Sequence, residues 1–296
     1  MPSGGGGASP IGGGGALAAV LPVAPLSVYT TLALLWEYKW TLAGTASTWF
    51  LLDVTFYGQG LMNTSVVQNA VVPASVTVPM DKLLASLVGS VWIVMIALPG
   101  YWLAVHTIDS IGRFRLQAGG FLTSAFVFMG LAGFYHTPLR TSAGGAGYVI
   151  LYGLTYLFAN WGPNTTTFVL PSEAFPTRAR STAHGISAAM GKLGATAGSF
   201  GLLAQWYSYC TSSRDSTGAP NCSLATSVPA ESDAGIISVM WICAGVCGGG
   251  LLLTLALTRE TRDKTLEEVD AGSKVLARMA RALPEEASEL EERSLR

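Results

Sequence analysis

Between residues 41 and 258 the chain alternates long apolar runs, almost free of charge, with short charged connectors. The runs fall at 41–62, 83–106, 116–135, 147–170, 181–207 and 234–258. A helix crossing the hydrocarbon core of a bilayer needs about 20 residues, so the pattern predicts six membrane helices. The fourth run is interrupted by Gly162, Pro163 and Asn164 in series. Proline removes a backbone donor and glycine loosens the turn before it, so this helix should be kinked there. Its freed carbonyls then need a partner or a wet cavity. A short basic hairpin at 171–181 should follow, carrying Glu173, Arg178 and Arg180.

The flanks read differently. Residues 1–15 are glycine-rich and low in complexity. The uncharged run at 16–36 has the length of a span, but Pro22 and Pro25 lie near its start and no basic residue precedes it. It reads as an added membrane or interfacial segment, or as a loop, and 1–38 stands apart from the regular pattern. The tail, 271–296, alternates basic and acidic blocks and predicts a solvated cytosolic helix broken at Pro284.

Composition agrees with the pattern. Only 12% of the 296 residues are charged and half are hydrophobic, against about 25% charged in soluble domains. The fold class expected is therefore an all-α membrane protein. No basic patch or nucleic-acid module is present, no cysteine spacing suits zinc, and four cysteines are too few for a secreted disulfide scaffold. Placing Lys39, Arg113, Arg115, Arg178, Arg180 and everything from Arg259 onward on one side gathers 13 of the 17 Lys/Arg there. Basic residues favour the cytosolic side, so both ends of the six-helix unit and the C-terminus should be cytosolic. Asn221, a glycosylation sequon, would then lie outside, in the same loop as Cys210 and Cys222, where a disulfide is permitted.

Asp53 is the one carboxylate within the six runs and Lys192 the one cation. Charges are costly at that depth and should face protein or water. Trp49, Asp53 and Tyr57 recur every four residues and share a helix face. A carboxyl away from bulk water favours its neutral form, which is what a proton-coupling site requires; a structural hydrogen-bonded Asp is the plainer reading. Lys192 reads either as a structural ion pair for Asp53 or as the charge that draws in an anion. Tyr152, Tyr156, Asn160 and Asn164 form a polar stripe, a pattern that often joins helices. For the tyrosines that reading leads, whereas the Asn164 amide, beside the kink, reads as a donor to a ligand. Gly185, Gly191, Gly194 and Gly198 suit close helix packing, His184 suits a helix interface, and Cys243 with Cys247 suit packing. Asp109 with Arg113, and Glu173 with Arg178 and Arg180, read as gating or packing salt bridges at the cytosolic ends. No nucleophile–base pair points to an enzyme.

The stretch GPNTTTFVLPSEAFPTRARSTAHGISAAMGKLGA, from Gly162, contains Pro163-Asn164, Phe175-Pro176-Thr177-Arg178, His184-Gly185 and Gly191-Lys192. It resembles the segment joining the tenth and eleventh helices of phosphate:H+ symporters, in the major facilitator superfamily. Residues 45–61 resemble the seventh helix of that family. Asp109-Ser-Ile-Gly-Arg113 with Gln117 and Gly119-Gly120 resembles its loop between helices eight and nine, and 259–270 its tail after helix twelve. Residues 39–270 are thus similar, in order, to the C-terminal half alone. The resemblance implies a truncated or half transporter moving inorganic phosphate together with protons, driven by the proton gradient and using no organic cofactor. It implies Asp53 and Lys192 in proton coupling, and Trp49, Asp53, Tyr57, Asn164 and Lys192 facing phosphate. The implied partners are phosphate, protons, the lipid bilayer of the plasma membrane, and either a second copy or the missing N-terminal half. Two other readings are a phosphate-sensing or regulatory membrane protein, and a porter for a sugar or organic anion.

Overall fold

The computed structural model describes residues 27–71, 79–135, 145–212 and 232–281, and every regular element among them is a helix. In chain order these are α1 (Val28–Glu37), α2 (Lys39–Val71), α3 (Pro79–Ile111), α4 (Arg113–Gly133), α5 (Gly145–Trp161), α6 (Pro163–Glu173), α7 (Thr177–Ser212), α8 (Ser232–Leu257) and the short α9 (Leu266–Ala271). A further helical stretch follows at 274–281. The Cys210–Cys222 pair and the Asn221 sequon lie outside the described side chains.

Each predicted run is met by a helix, with a break where the fourth was expected to kink. Among the described residues, Leu83–Ile111, Arg113–Gly133 and Ala234–Leu257 are long and apolar enough to cross a membrane. The other predicted spans are more polar or divided. α2 and α7 extend over 33 and 36 residues but are rich in Thr, Ser and Gly. α5 and α6 are 17 and 11 residues once separated by Gly162.

That separation follows from local chemistry. Pro163 takes the first position of α6, where its missing N–H costs nothing. Gly162 lies against Gly120 of α4, and a Cβ on either residue would collide with the opposing chain. The Thr165 hydroxyl donates to the Asn160 carbonyl at 2.7 Å, so a carbonyl at the break is satisfied. The connector to α7 is shorter than the predicted hairpin, because α6 continues through Pro171 to Glu173 and α7 begins at Thr177.

α2 lies along α7, α4 along α8 and α3 along α5. The α2–α7 pair is close because glycines line it, as their spacing suggested. A Cβ at Gly194 would strike the Phe50 carbonyl, one at Gly198 the Val54 carbonyl, and one at Gly58 the Leu202 side chain. Removing side chains from such a seam lets two backbones approach and gain dispersion contacts. The apolar core is set by α8, whose Val239, Met240, Cys243 and Cys247 bury together with Leu52, Phe121, Phe128 and Leu131.

The flanks are better built than the sequence suggested. α1 is capped by the Ser27 hydroxyl and buries Leu34 against Ala179 of α7 and Leu276 of the 274–281 helix. Glu37 accepts from the Ser273 hydroxyl at 2.8 Å and from the Lys274 and Val275 amides at 2.7 and 3.3 Å. A carboxylate on the free N–H groups of a helix start is stabilising. The tail helix is therefore not simply solvated: Leu276 is 2% exposed. The Tyr38 phenol reaches the Val269 carbonyl at 3.4 Å, and burial with the nearby Glu37 and Asp270 carboxylates raises its pKa.

Candidate functional site

α2 and α7 bring together the residues that the charge pattern singled out. The Asp53 carboxylate is buried, and its Oδ2 has no hydrogen-bond partner. The Lys192 ammonium lies 4.0 Å from that oxygen. The same ammonium donates to the Tyr57 hydroxyl at 3.4 Å and lies 5.1 Å from the centre of its ring. Tyr57 is exposed, so the cluster has a buried acidic floor and an open cationic and phenolic rim. A lone buried carboxylate oxygen is costly unless it is paired or protonated.

Trp49, one turn before Asp53, is held differently. Its indole lies against Gly191, where a Cβ would collide with the ring, and it meets Phe168 and His184 edge to face, at 6.1 and 5.6 Å between centroids. His184 is an interface residue, as expected, and its interface is with Trp49. The glycine preceding Lys192 thus seats Trp49, and the periodic set Trp49, Asp53, Tyr57 faces α7 along one seam.

Asn164 belongs to a second group, at the α5–α6 break. Its amide nitrogen donates to the Tyr101 hydroxyl of α3 at 2.7 Å and to Asn160 Oδ1 at 2.8 Å. Asn160 in turn donates to the Ala97 carbonyl at 3.1 Å. Tyr101 was not found from the sequence: it sits in an apolar run, and nothing in its spacing marks it. It is exposed. Tyr152 is buried and donates to the Gln59 carbonyl at 2.8 Å, joining α5 to α2. An apolar groove of about 630 Å³, lined by Leu84, Val88, Trp92, Ile96, Val149 and Ile150, contains none of these polar residues. Among the described residues no three His, Cys, Asp or Glu side chains converge as metal ligands would.

The other charged cluster ties the helix ends together. Arg113 holds Glu173 through two nitrogens, at 3.0 Å each, and Asp109 at 2.8 Å. Glu173 also accepts from the Thr261 hydroxyl at 2.6 Å. The pairing of Glu173 with Arg180, suggested by their nearness in sequence, is not formed: Arg180 donates to the Phe175 carbonyl and the Thr177 hydroxyl. Rising α7 carries Arg180 away from Glu173, while the start of α4 presents Arg113 to it. Glu260, missed from the sequence, caps α4 by accepting from the Arg113 and Phe114 amides at 2.9 and 3.1 Å. Gly112 makes room for this carboxylate, with φ of 94° and no space for a Cβ.

Comparison with known proteins places this arrangement. A family model described as "Sugar (and other) transporter" matches residues 54–272. The chain is 40% identical over 224 residues to "Probable inorganic phosphate transporter 1-9" of Oryza sativa subsp. japonica, covering 75% of this chain and 36% of the relative. It is 38% identical over 232 residues to "Inorganic phosphate transporter 1-6" of the same plant, covering 77% and 41%. It is 39% identical over 237 residues to "Low affinity inorganic phosphate transporter 1" of Petunia hybrida, again covering 77% and 41%. The chain thus spans about 40% of the length of these curated relatives. With most of its length inside the family match, the chain belongs to the sugar (and other) transporter family of the major facilitator superfamily.

Proposed function

We propose that residues 39–270 form one six-helix half of a carrier that moves inorganic phosphate together with protons across a membrane. The observation that carries this reading is the Lys192 ammonium poised 4.0 Å from a buried carboxylate oxygen of Asp53 that has no hydrogen-bond donor. Phosphate is an anion that needs a cation and hydrogen-bond donors, and Lys192, Tyr57 and Trp49 offer these beside Asp53. With Asp53 protonated, Lys192 is free to hold the anion. Once the anion and the proton leave, the two charges close on each other, which couples one departure to the other. The relatives' names support phosphate as the substrate.

Carriers of this superfamily rock two halves around a midplane site. One half supplies part of a site, so an N-terminal half or a second copy completes it. The end carrying Arg113 and Glu173 then faces the cytosol, their ion pair closing that side, and the protein resides in the plasma membrane. The test is uptake into proteoliposomes containing the chain, alone or with an N-terminal half from one of the relatives. Phosphate accumulation that follows an imposed pH gradient, and that unlabelled phosphate competes away, is the expected result. Because the family description names sugars, hexose is the second competitor. Hexose uptake, or phosphate binding without uptake, would replace this reading with a sugar porter or a sensor.

A further inference from the structure

We infer that α1 is a membrane-interface anchor, whose open face of Tyr29, Leu32 and Trp36 lies in the lipid headgroup layer where α2 begins. α1 starts sharply: the Ser27 hydroxyl accepts from the Thr30 amide at 3.2 Å and caps its first turn. Its 10 residues cover about 15 Å, half of the roughly 30 Å of a hydrocarbon core. α1 is thus too short to cross a bilayer.

One face of α1 is already in use. Leu34 is buried with Ala179 of α7 and Leu276 of the 274–281 helix, and the Glu37 carboxylate is bonded to residues 273–275. Tyr38, at the junction with α2, packs edge to face on Phe175. These contacts hold α1 at the end of the bundle that carries Arg113 and Glu173. Tyr29, Leu32 and Trp36 follow at steps of three and four residues and share the opposite face. They are 82%, 59% and 71% exposed. A helix bathed in water carries charged and polar residues on its open face, whereas this face carries large apolar and aromatic ones. Trp40, in the first turn of α2, is exposed too, so the aromatic surface continues from α1 onto the first helix of the six-helix unit.

The chemistry of the face selects its occupant. Tyr and Trp join an apolar body to a polar edge and gather where hydrocarbon meets water. The exposed Lys39 ammonium lies 4.2 Å from the centre of the Trp36 ring and 5.8 Å from that of Trp40. A protein covering this face would have to desolvate that ammonium. Headgroup phosphates leave it hydrated and give it a counter-charge, while its stem follows the indole. An amphipathic helix of this kind lies in the plane of the interface. Because α1 also holds the 274–281 helix through Leu34 and Glu37, the anchor keeps that helix at the membrane surface.

The test is site-directed spin labelling of the full chain in phosphatidylcholine nanodiscs. The native cysteines are replaced, and Tyr29→Cys, Leu32→Cys and Trp36→Cys each carry one nitroxide. Collisions with oxygen, which concentrates in lipid, are compared with collisions with a water-soluble nickel chelate. Oxygen should dominate at all three positions and place the labels about 5–10 Å inside the headgroup boundary. Dominant nickel collisions would mean a solvated helix. Low access to both reagents would mean a protein cover, from a second copy or an N-terminal half, and depths near the bilayer centre a spanning segment. Each of these overturns the inference and leaves the phosphate reading standing. The unsubstituted chain gives a second readout that no folding defect of a variant can imitate. With phosphatidylcholine carrying a photoreactive group near its headgroup, lipid adducts should map by mass spectrometry to residues 28–40. Adducts on α4 and α8 with none on 28–40 would equally overturn it.

Discussion

The Lys192 ammonium lies 4.0 Å from Asp53 Oδ2, yet the lysine side chain is 69% exposed and the aspartate side chain only 4%. A fully formed buried ion pair would hold both groups away from solvent at hydrogen-bonding distance. Here the carboxylate is fixed in the α2–α7 seam and the cation is left at its rim. The pair can therefore open or close by movement of one flexible side chain.

Asp53→Asn tests the use of that pair. Asparagine keeps the size and polarity but cannot carry a proton. In whatever assembly is active, gradient-driven phosphate uptake should fall to the level of empty vesicles while the protein stays in the membrane. Accumulation at the wild-type level would remove Asp53 from proton coupling.

The α2–α7 seam should not tolerate even one methyl group. A Cβ at Gly198 would meet the Val54 backbone, which cannot swing aside as a side chain would. Overpacking of this kind costs about 1–3 kcal/mol, so Gly198→Ala should lower thermal stability in detergent. Gly201→Ala, on the same helix but with open space around it, is the matched control and should change little.

Glu37 should hold the tail in place. Its carboxylate accepts three hydrogen bonds from 273–275, and loss of a helix cap costs about 1 kcal/mol. Glu37→Ala should speed hydrogen exchange across 274–281 and across α1, with little change in α4 or α8. Uniform exchange throughout, or none, would show that the two segments are held by something else.

Orientation can be read chemically. After replacement of the native cysteines, Arg178→Cys should resist a membrane-impermeant thiol reagent applied outside intact cells and react once the membrane is opened. Labelling from outside would reverse the assigned topology.

Assembly is the remaining prediction. Lys192, Tyr57 and Tyr101 are each exposed, and α3 leaves Val88, Val91, Trp92 and Met95 exposed as well. A cation facing lipid costs about 2.5–3.5 kcal/mol by insertion scales, so the lone chain should seek a partner. Crosslinking or native mass measurement in mild detergent should show a second copy, or a co-expressed N-terminal half, bound to it. A strictly monomeric chain that is stable and transports phosphate would contradict the half-site argument.

What the sequence determined by itself was local. Helix positions followed from the lengths of apolar runs, and the α5–α6 break from Gly162 and Pro163, because both depend on neighbours within one or two turns. The common face of Trp49, Asp53 and Tyr57 followed from the helical period. Glycine spacing on α7 announced a close contact without naming its partner. Tertiary structure decided everything that depends on which helices are adjacent. Tyr101 is 63 residues from Asn164 and Ser273 is 236 from Glu37. Arg113 reached Glu173 across 60 residues and displaced the nearer Arg180. A tyrosine in an apolar run and a glutamate at a helix end carry no local mark of their partners. Their hydrogen bonds exist only because helix packing brings the two backbones within reach.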